Sequence, residues 1–244
     1  MNGRLVPRAG LTPAIRGDMF ALLAGQFDTA RRDVFEADLE GKNWVLLLED
    51  TANGSLRGFT TLLHYRACPG GRPVQVVCSG DTVVESSSMG SPSLSRDWIG
   101  AVNHLRGDDT RPLYWLLIVS GYRTYRFLPV FWREFHPRFD AAMPPTARAL
   151  LDALAVDRFG SQYDPATGIV RLASPQVLRA DLRAIPPARL EDPHIAFFAR
   201  ANPGYARGDE LVCMTEIAPE NLTPAGHRMW AAGQRAFAAR GRSE

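Results

Sequence analysis

The chain has a single lysine. Of its 28 basic residues only Lys42 is not an arginine, a bias that fits either an arginine-rich coding composition or a use for planar, bidentate contacts to anions. Cysteine is almost as scarce. Cys68, Cys78 and Cys213 are odd in number, widely spaced and without a C-x-x-C pair, which argues against a disulfide framework and a thiolate zinc site and leads us to expect a reducing, cytoplasmic setting. No apolar run approaches the length of a membrane span, and Arg4, Arg8 and Arg16 are not followed by the apolar core of a secretion signal, so no integral membrane association is expected. Basic runs with interleaved aromatics are missing and the net charge is only +2, so no nucleic-acid partner is expected. None of the five histidines has metal-ligand spacing, and there is no G-x-S-x-G elbow. Neither a metal nor a covalent serine or cysteine mechanism is therefore expected.

What the chain does have is an ordinary globular composition, with 45% hydrophobic and 22% charged residues over 244 positions, enough for one elaborated α/β domain with a large core. From Thr12 to Glu40 apolar residues recur every three or four positions, predicting two helices separated at Asp28-Thr29. Residues 44–50 and 56–65 read as strands joined at Asn53-Gly54, a turn in which both positions tolerate positive φ. A third strand is expected over 74–79, a helix over 92–105, a buried strand over 113–119 and a helix over 125–135. Strand, helix, strand, helix in that order is a unit with parallel pairing. Beyond Pro137 the pattern gives a helix from Pro144-Pro145 to about Arg158, strands over 168–172 and 211–217, and a final helix capped by Thr223-Pro224. Pro175, Pro186, Pro187 and Pro193 mark an irregular stretch between them.

The order of elements over roughly Phe20 to Phe135 resembles the GNAT (GCN5-related N-acyltransferase-like) superfamily. The hairpin 44–65 looks like that family's second and third strands, and residues 81–94 look like its fourth strand and acyl-donor loop. Where the family carries Q/R-x-x-G-x-G/A, this chain reads Ser87-Ser88-Met89-Gly90-Ser91-Pro92: the first glycine is kept, but serine leads and proline closes. In the family, loop amides and the following helix N-terminus hold a pyrophosphate; a proline at that point removes one amide donor. In character the chain looks nearest to the long-chain N-acyl amino acid synthases and acyl-homoserine lactone synthases. The resemblance implies an α/β (α+β) fold with a mixed, mostly antiparallel sheet flanked by helices. It divides the chain into a donor-binding core over 1–137 and a C-terminal part over 138–244 that completes the same domain and covers the acceptor site.

The same resemblance assigns the site. Backbone amides from Asp81 to Val84, including Val83 and Val84, would hold the thioester carbonyl. Ser88, Gly90, Ser91 and Ser93 would line the donor loop. Tyr122, Arg123 and Arg126, just past the strand 113–119, would serve a donor phosphate or the acceptor's carboxylate. Asp81 and Glu85, which alternation places on one face of a strand, are the candidate bases, and Tyr122 or Tyr125 the candidate acid for the departing thiolate. The expected activity is N-acyl transfer from acyl-CoA or acyl-phosphopantetheine, used as co-substrate and not permanently bound. An acyl carrier protein is the expected partner, and an amine-bearing small molecule or peptide the acceptor. The rivals are a GNAT-shaped binding or regulatory protein without catalysis and an autoinducer-synthase-like enzyme.

Overall fold

In the computed structural model residues 1–85 and 91–240 are described, the last by its backbone only. Helices α1 (Pro13–Ala24) and α2 (Arg32–Glu40) occupy the first periodic stretch. The Thr12 hydroxyl accepts from the Ile15 N–H and Pro13 takes the first helical position, so α1 starts where a cap is supplied and an amide is not needed. Asp28 and Thr29 do mark the break, but neither caps α2. The Thr29 hydroxyl instead donates to the Pro175 carbonyl and accepts from the Val177 N–H, both 2.9 Å away.

Strands β2 (Trp44–Glu49) and β3 (Leu56–Ala67) form the hairpin, with Gly54 at φ 71° and the Asn53 side chain accepting from the Ser55 N–H. The next strand, β4, runs from Val74 to Val84 without interruption. The sequence pattern ended a strand at Ser79 because Gly80 and Asp81 break the apolar run. In the structure the strand absorbs them as a bulge: Leu62 faces Ser79 and Thr60 faces Thr82, so Gly80 and Asp81 together oppose Thr61.

A further strand, β1 (Asn2–Pro7), was not expected. It pairs antiparallel with β2 at the sheet edge, and its glycine and proline hide the strand pattern. Gly3 is needed there, since its N–H donates to Asp97 Oδ2 at 2.8 Å and a Cβ would sit 2.6 Å from the Asp97 Cβ.

Helix α3 (Ser93–Arg106) then crosses to β5 (Leu113–Val119), which lies parallel to β4. The single helix expected over 125–135 is instead two short ones, α4 (Tyr122–Tyr125) and α5 (Phe127–Phe131). The Val130 and Phe131 carbonyls, which a longer helix would have used, accept from the Thr223 hydroxyl and N–H.

The C-terminal part supplies α6 (Pro145–Phe159), β6 (Tyr163–Asp164), β7 (Ile169–Val170), α7 (Ala180–Arg183), α8 (Pro193–Ala201), β8 (Glu210–Glu216) and α9 (Pro224–Arg240). Helix α8 lies in the stretch read as irregular, and the Asp192 carboxylate caps it by accepting from the His194 N–H. The sheet order is β1-β2-β3-β4-β5-β8-β7-β6, antiparallel at every pairing except β4 with β5. This is the mixed, mostly antiparallel sheet expected. Leu46, Val77 and Trp115 pack on the face covered by α3 and α9. On the opposite face Val45 and Phe59 pack with Phe35 of α2, and Cys78 and Met214 pack with Leu151 of α6.

Candidate functional site

Strands β4 and β5 pair in register only from Gln75 with Leu113 to Cys78 with Leu116, although both continue beyond that point. The bulge at Gly80-Asp81 bends β4 away just where the pairing stops. The parted strands border a cavity of about 620 Å³. Strand alternation gives it two unlike halves. On one face Trp115, Leu117 and Val119 of β5 meet Trp98, Phe127 and Phe131. The indoles of Trp98 and Trp115 pack at a tilt of 45° with centroids 4.5 Å apart, and Trp132 lies 5.2 Å from Trp115. On the other face the charged and polar groups of the lining gather, Asp38, Lys42, Asp81, Arg158, Gln176 and Glu210, beside Ile118, Phe159 and Leu172.

The polar half is organised around the only lysine. The Lys42 side chain is 4% exposed, and its ammonium donates to both Asp38 carboxylate oxygens at 2.6 Å. Gly80 makes room for it: a Cβ there would fall 2.5 Å from Lys42 Cε and 2.4 Å from Thr61 Oγ1. With Lys42 engaged by Asp38, neither Asp81 nor Glu210 has an ion-pair partner among the described residues. Asp81 Oδ2 is buried without a hydrogen-bond partner among them. Burial pushes the Asp81 carboxyl up to about 7; the Asp38 charge adds to the rise, while Lys42 and a hydrogen bond with Gln176 oppose it. Glu210 is pushed up to about 8 by burial first and then by the Asp81 and Asp38 charges. The two carboxyls thus titrate in steps, Asp81 first, because its charge weighs on Glu210.

Two features close the site. The Glu85 N–H donates to the Arg57 carbonyl on β3 at 2.8 Å, so by alternation the Thr82 and Val84 amides point away from β3, toward the parting. Above it, residues 175–179 of the C-terminal part lie along the α1–α2 loop: Asp28 N–H donates to Val177 O at 2.8 Å and Arg179 N–H to Gln26 O at 2.9 Å. Gln26 Nε2 in turn donates to Val84 O at 2.5 Å. Phe27, Gln176 and Leu178 therefore roof the cavity.

Of the residues singled out from sequence, Asp81 lines the cavity and several others do not. Glu85 shares its face of β4 but is not among the residues that line the cavity, and it pairs with Arg57 at 2.8 Å. The Val83 side chain is in the core beneath α1 and α2. Ser91 and Ser93 bond each other at the start of α3, with Oγ atoms 2.9 Å apart, and Ser88 and Gly90 lie outside the described residues. The tyrosines and arginines after β5 are corrected most. Tyr125 is 0% exposed, its hydroxyl donates to Pro137 O at 2.9 Å, and burial raises its pKa far above the ordinary phenol value. It is built into the core. Tyr122 is also buried beneath the Arg123 guanidinium, which bonds the Leu182 carbonyl, and Arg126 pairs with Asp192. These groups anchor α7 and α8 and do not line the cavity.

Sequence reasoning missed Asp38, Glu210 and Ser79 as members of the site, and noticed Lys42 only for its rarity. Among the described residues no group of three or more metal-ligating side chains is arranged to hold an ion, and no helix is long and apolar enough to cross a membrane.

No protein-family model matches the chain, and no curated protein matches it in sequence. Solved structures are similar to it in fold alone. A probable N-acyltransferase from Enterococcus faecalis V583 aligns over 55% of this chain at 14% identity and a TM-score of 0.39. A GNAT-family N-acetyltransferase from Escherichia coli, solved in complex with CoA, aligns over 52% at 15% identity and 0.38, covering 68% of that protein. Tetrahymena GCN5 aligns over 60% at 10% identity and 0.42, covering 85% of that protein. The aligned part of this chain spans 33% of the length of the Enterococcus protein.

Proposed function

We propose that this protein is an N-acyltransferase that moves an acyl group from a thioester to a primary amine, with Asp81 as the general base. The observation that carries the reading is Asp81 itself: a carboxyl raised to about 7, with one oxygen buried and unpartnered, in a cavity bordered by parted parallel strands. An amine nucleophile must arrive as an ammonium ion and react as a free amine, so it needs a base that is ionised near neutral pH and still basic enough to take the proton.

In this reading the amine sits in the polar half, beside Asp81 and Glu210. The thioester carbonyl lies in the parting, within reach of the Thr82 and Val84 amides, which supply donors to the oxygen as it becomes an oxyanion. Nitrogen forms a bond to the carbonyl carbon, the carbon–sulfur bond breaks, one ammonium proton goes to Asp81 and a second ends on the departing sulfur. The aromatic half takes the acyl chain, which gains about 0.8 kcal/mol for each CH₂ it buries. The donor is acyl-CoA or the acyl-phosphopantetheine of a carrier protein, and the acceptor is an amino acid, peptide or other small amine that residues 138–244 enclose.

The test is to incubate the purified protein with a panel of acyl-CoA and acyl-carrier thioesters and mixed amines, following thiol release and new amides by mass spectrometry. Donor-dependent amide formation is expected. Absence of thiol release and of amide with every donor would overturn the reading.

A further inference from the structure

The reaction needs a donor that no tyrosine of this chain places in the cavity, and one hydroxyl stands where such a donor is required. Ser79 is the first residue of β4 past the last β4–β5 pair, Cys78 with Leu116, so it sits at the apex of the parting. It lines the cavity. Ser79 Oγ accepts from Trp115 Nε1 at 2.9 Å and from Trp98 Nε1 at 3.2 Å. A serine hydroxyl has two acceptor lone pairs and one proton. Both lone pairs are filled by indole N–H groups that can only donate, so the hydroxyl has only its proton left to offer. No acceptor for that proton is found among the described residues. A second donor in the same half is unfilled: Trp132 Nε1–H is buried without a partner among the described residues, on a ring that is 2% exposed and lines the cavity.

We infer that Ser79 is a catalytic hydrogen-bond donor to the negative charge that develops on the thioester during acyl transfer, held in its donating state by Trp98 and Trp115. The inference rests on the acyltransferase reading above. The bulge sets the arrangement. Ser79 and Thr82 face Leu62 and Thr60 on the aromatic side of the sheet, while Asp81 faces Asp38 and Lys42 on the other. A thioester in the parting therefore has the base on one side and the hydroxyl on the other. Ser79 keeps its proton throughout, so no bond to it forms or breaks. Two N–H groups donating to its oxygen polarise the O–H bond and strengthen what it donates, in a cavity where burial makes such a bond count for more than it would in water.

The experiment compares the full-length wild type with Ser79→Ala, Ser79→Thr and Trp115→Phe, measuring kcat and KM with two donors of one acyl group: a CoA thioester and a thioester of a much more acidic thiol. Removing one oxyanion-type donor is expected to lower kcat about 10²- to 10³-fold with little change in KM. Ser79→Thr, which keeps the hydroxyl, retains most of kcat. Trp115→Phe frees one lone pair without removing the hydroxyl, and gives an intermediate loss even if Ser79→Ala folds poorly. A kcat loss that shrinks with the acidic leaving group places the contact on the sulfur. The same loss with both donors places it on the carbonyl oxygen. A wild type that turns over while Ser79→Ala and Trp115→Phe match its kcat overturns this inference alone; a wild type that turns over no thioester overturns the acyltransferase reading and this inference with it.

Discussion

Replacing Asp81 by asparagine should stabilise the protein above neutral pH while disabling it. In the native chain this carboxyl titrates near 7 instead of its ordinary 3.8, chiefly because burial penalises its charge. Between those values the folded state holds a proton that the unfolded state has released, so stability falls as pH rises, by about 1.4 kcal/mol per unit. Across the whole window the loss is about 4 kcal/mol, complete above pH 7. An asparagine at this position carries no charge and escapes that loss. Even half of it would raise the melting temperature by roughly 4 to 8 °C in a chain of this size. The assay is thermal unfolding of wild type and Asp81→Asn from pH 4 to 9: the two curves should lie close together at pH 4 and separate toward pH 8, with the variant higher. Besides burial, the groups that set the value are Asp38 on α2, Lys42 just after it and Gln176 in the roof of the cavity. The same variant should lose about 10²- to 10⁴-fold in acyl-transfer rate, and the rise of wild-type kcat/KM with pH to a plateau above about 7 should disappear. A variant no more stable than wild type at pH 8 would refute the argument, because it would mean that Asp81 carries its charge in the fold without cost.

Glu210→Gln removes the neighbouring carboxyl without removing the base. It should keep most of the activity and leave the midpoint of the pH–rate profile near 7, because Glu210, pushed up to about 8, is still neutral while Asp81 ionises. Lys42→Met, by contrast, leaves Asp38 without its partner and removes the positive charge that holds Asp81 down, so the profile should move to higher pH. Because the Asp38 carboxylate left behind is 37% exposed and water can solvate it, the loss of the pair should cost about 1 to 3 kcal/mol, read by denaturant unfolding. Gly80→Ala drives a methyl group into Thr61 and the Lys42 stem, and should destabilise the fold by about 1 to 3 kcal/mol. Thr29→Val removes the hydroxyl that ties Pro175 and Val177 to the α1–α2 loop, and should raise KM for the amine more than it lowers kcat.

How much of this was legible in the sequence depended on whether the signal was local. Helices α1, α2, α3 and α6, the Asn53-Gly54 hairpin and strand β5 follow from periodicity, caps and turns, each written within a dozen residues. Asp81 is reached through the family resemblance, since the local pattern ends its strand at Ser79, two residues short. Glu210 was not legible: the apolar run of β8 begins at Leu211, so the sequence pattern started the strand one residue too late and left Glu210 in a loop. Nothing near position 210 signals that β8 will lie beside β5 and face residues 38 and 81 across the parting. The tyrosines after β5 failed for the opposite reason. A strand end is where ligand crevices open, but α8 fills the space beside Tyr125 with Phe197 and Phe198, at centroid distances of 6.0 and 5.7 Å.

The element that joins these observations is the extra residue in β4. A regular strand from Val74 to Val84 would have placed Gly80 and Asp81 on opposite faces and kept Ser79 and Asp81 on one, putting acid-base and hydrogen-bonding groups on the same side of the sheet. With Gly80 and Asp81 both set against Thr61, Ser79 stays with the tryptophans and Asp81 turns to the carboxylates. The same bend coincides with the end of β4–β5 pairing and so with the opening of the cavity. Glycine at position 80 is required by space, because a Cβ there would meet Thr61 Oγ1 and the stem of the only lysine, which crosses that spot to reach Asp38. A single inserted position thus divides the cavity chemically, and the expected defects of Gly80→Ala and Asp81→Asn should be non-additive, since both act on the same turn of chain.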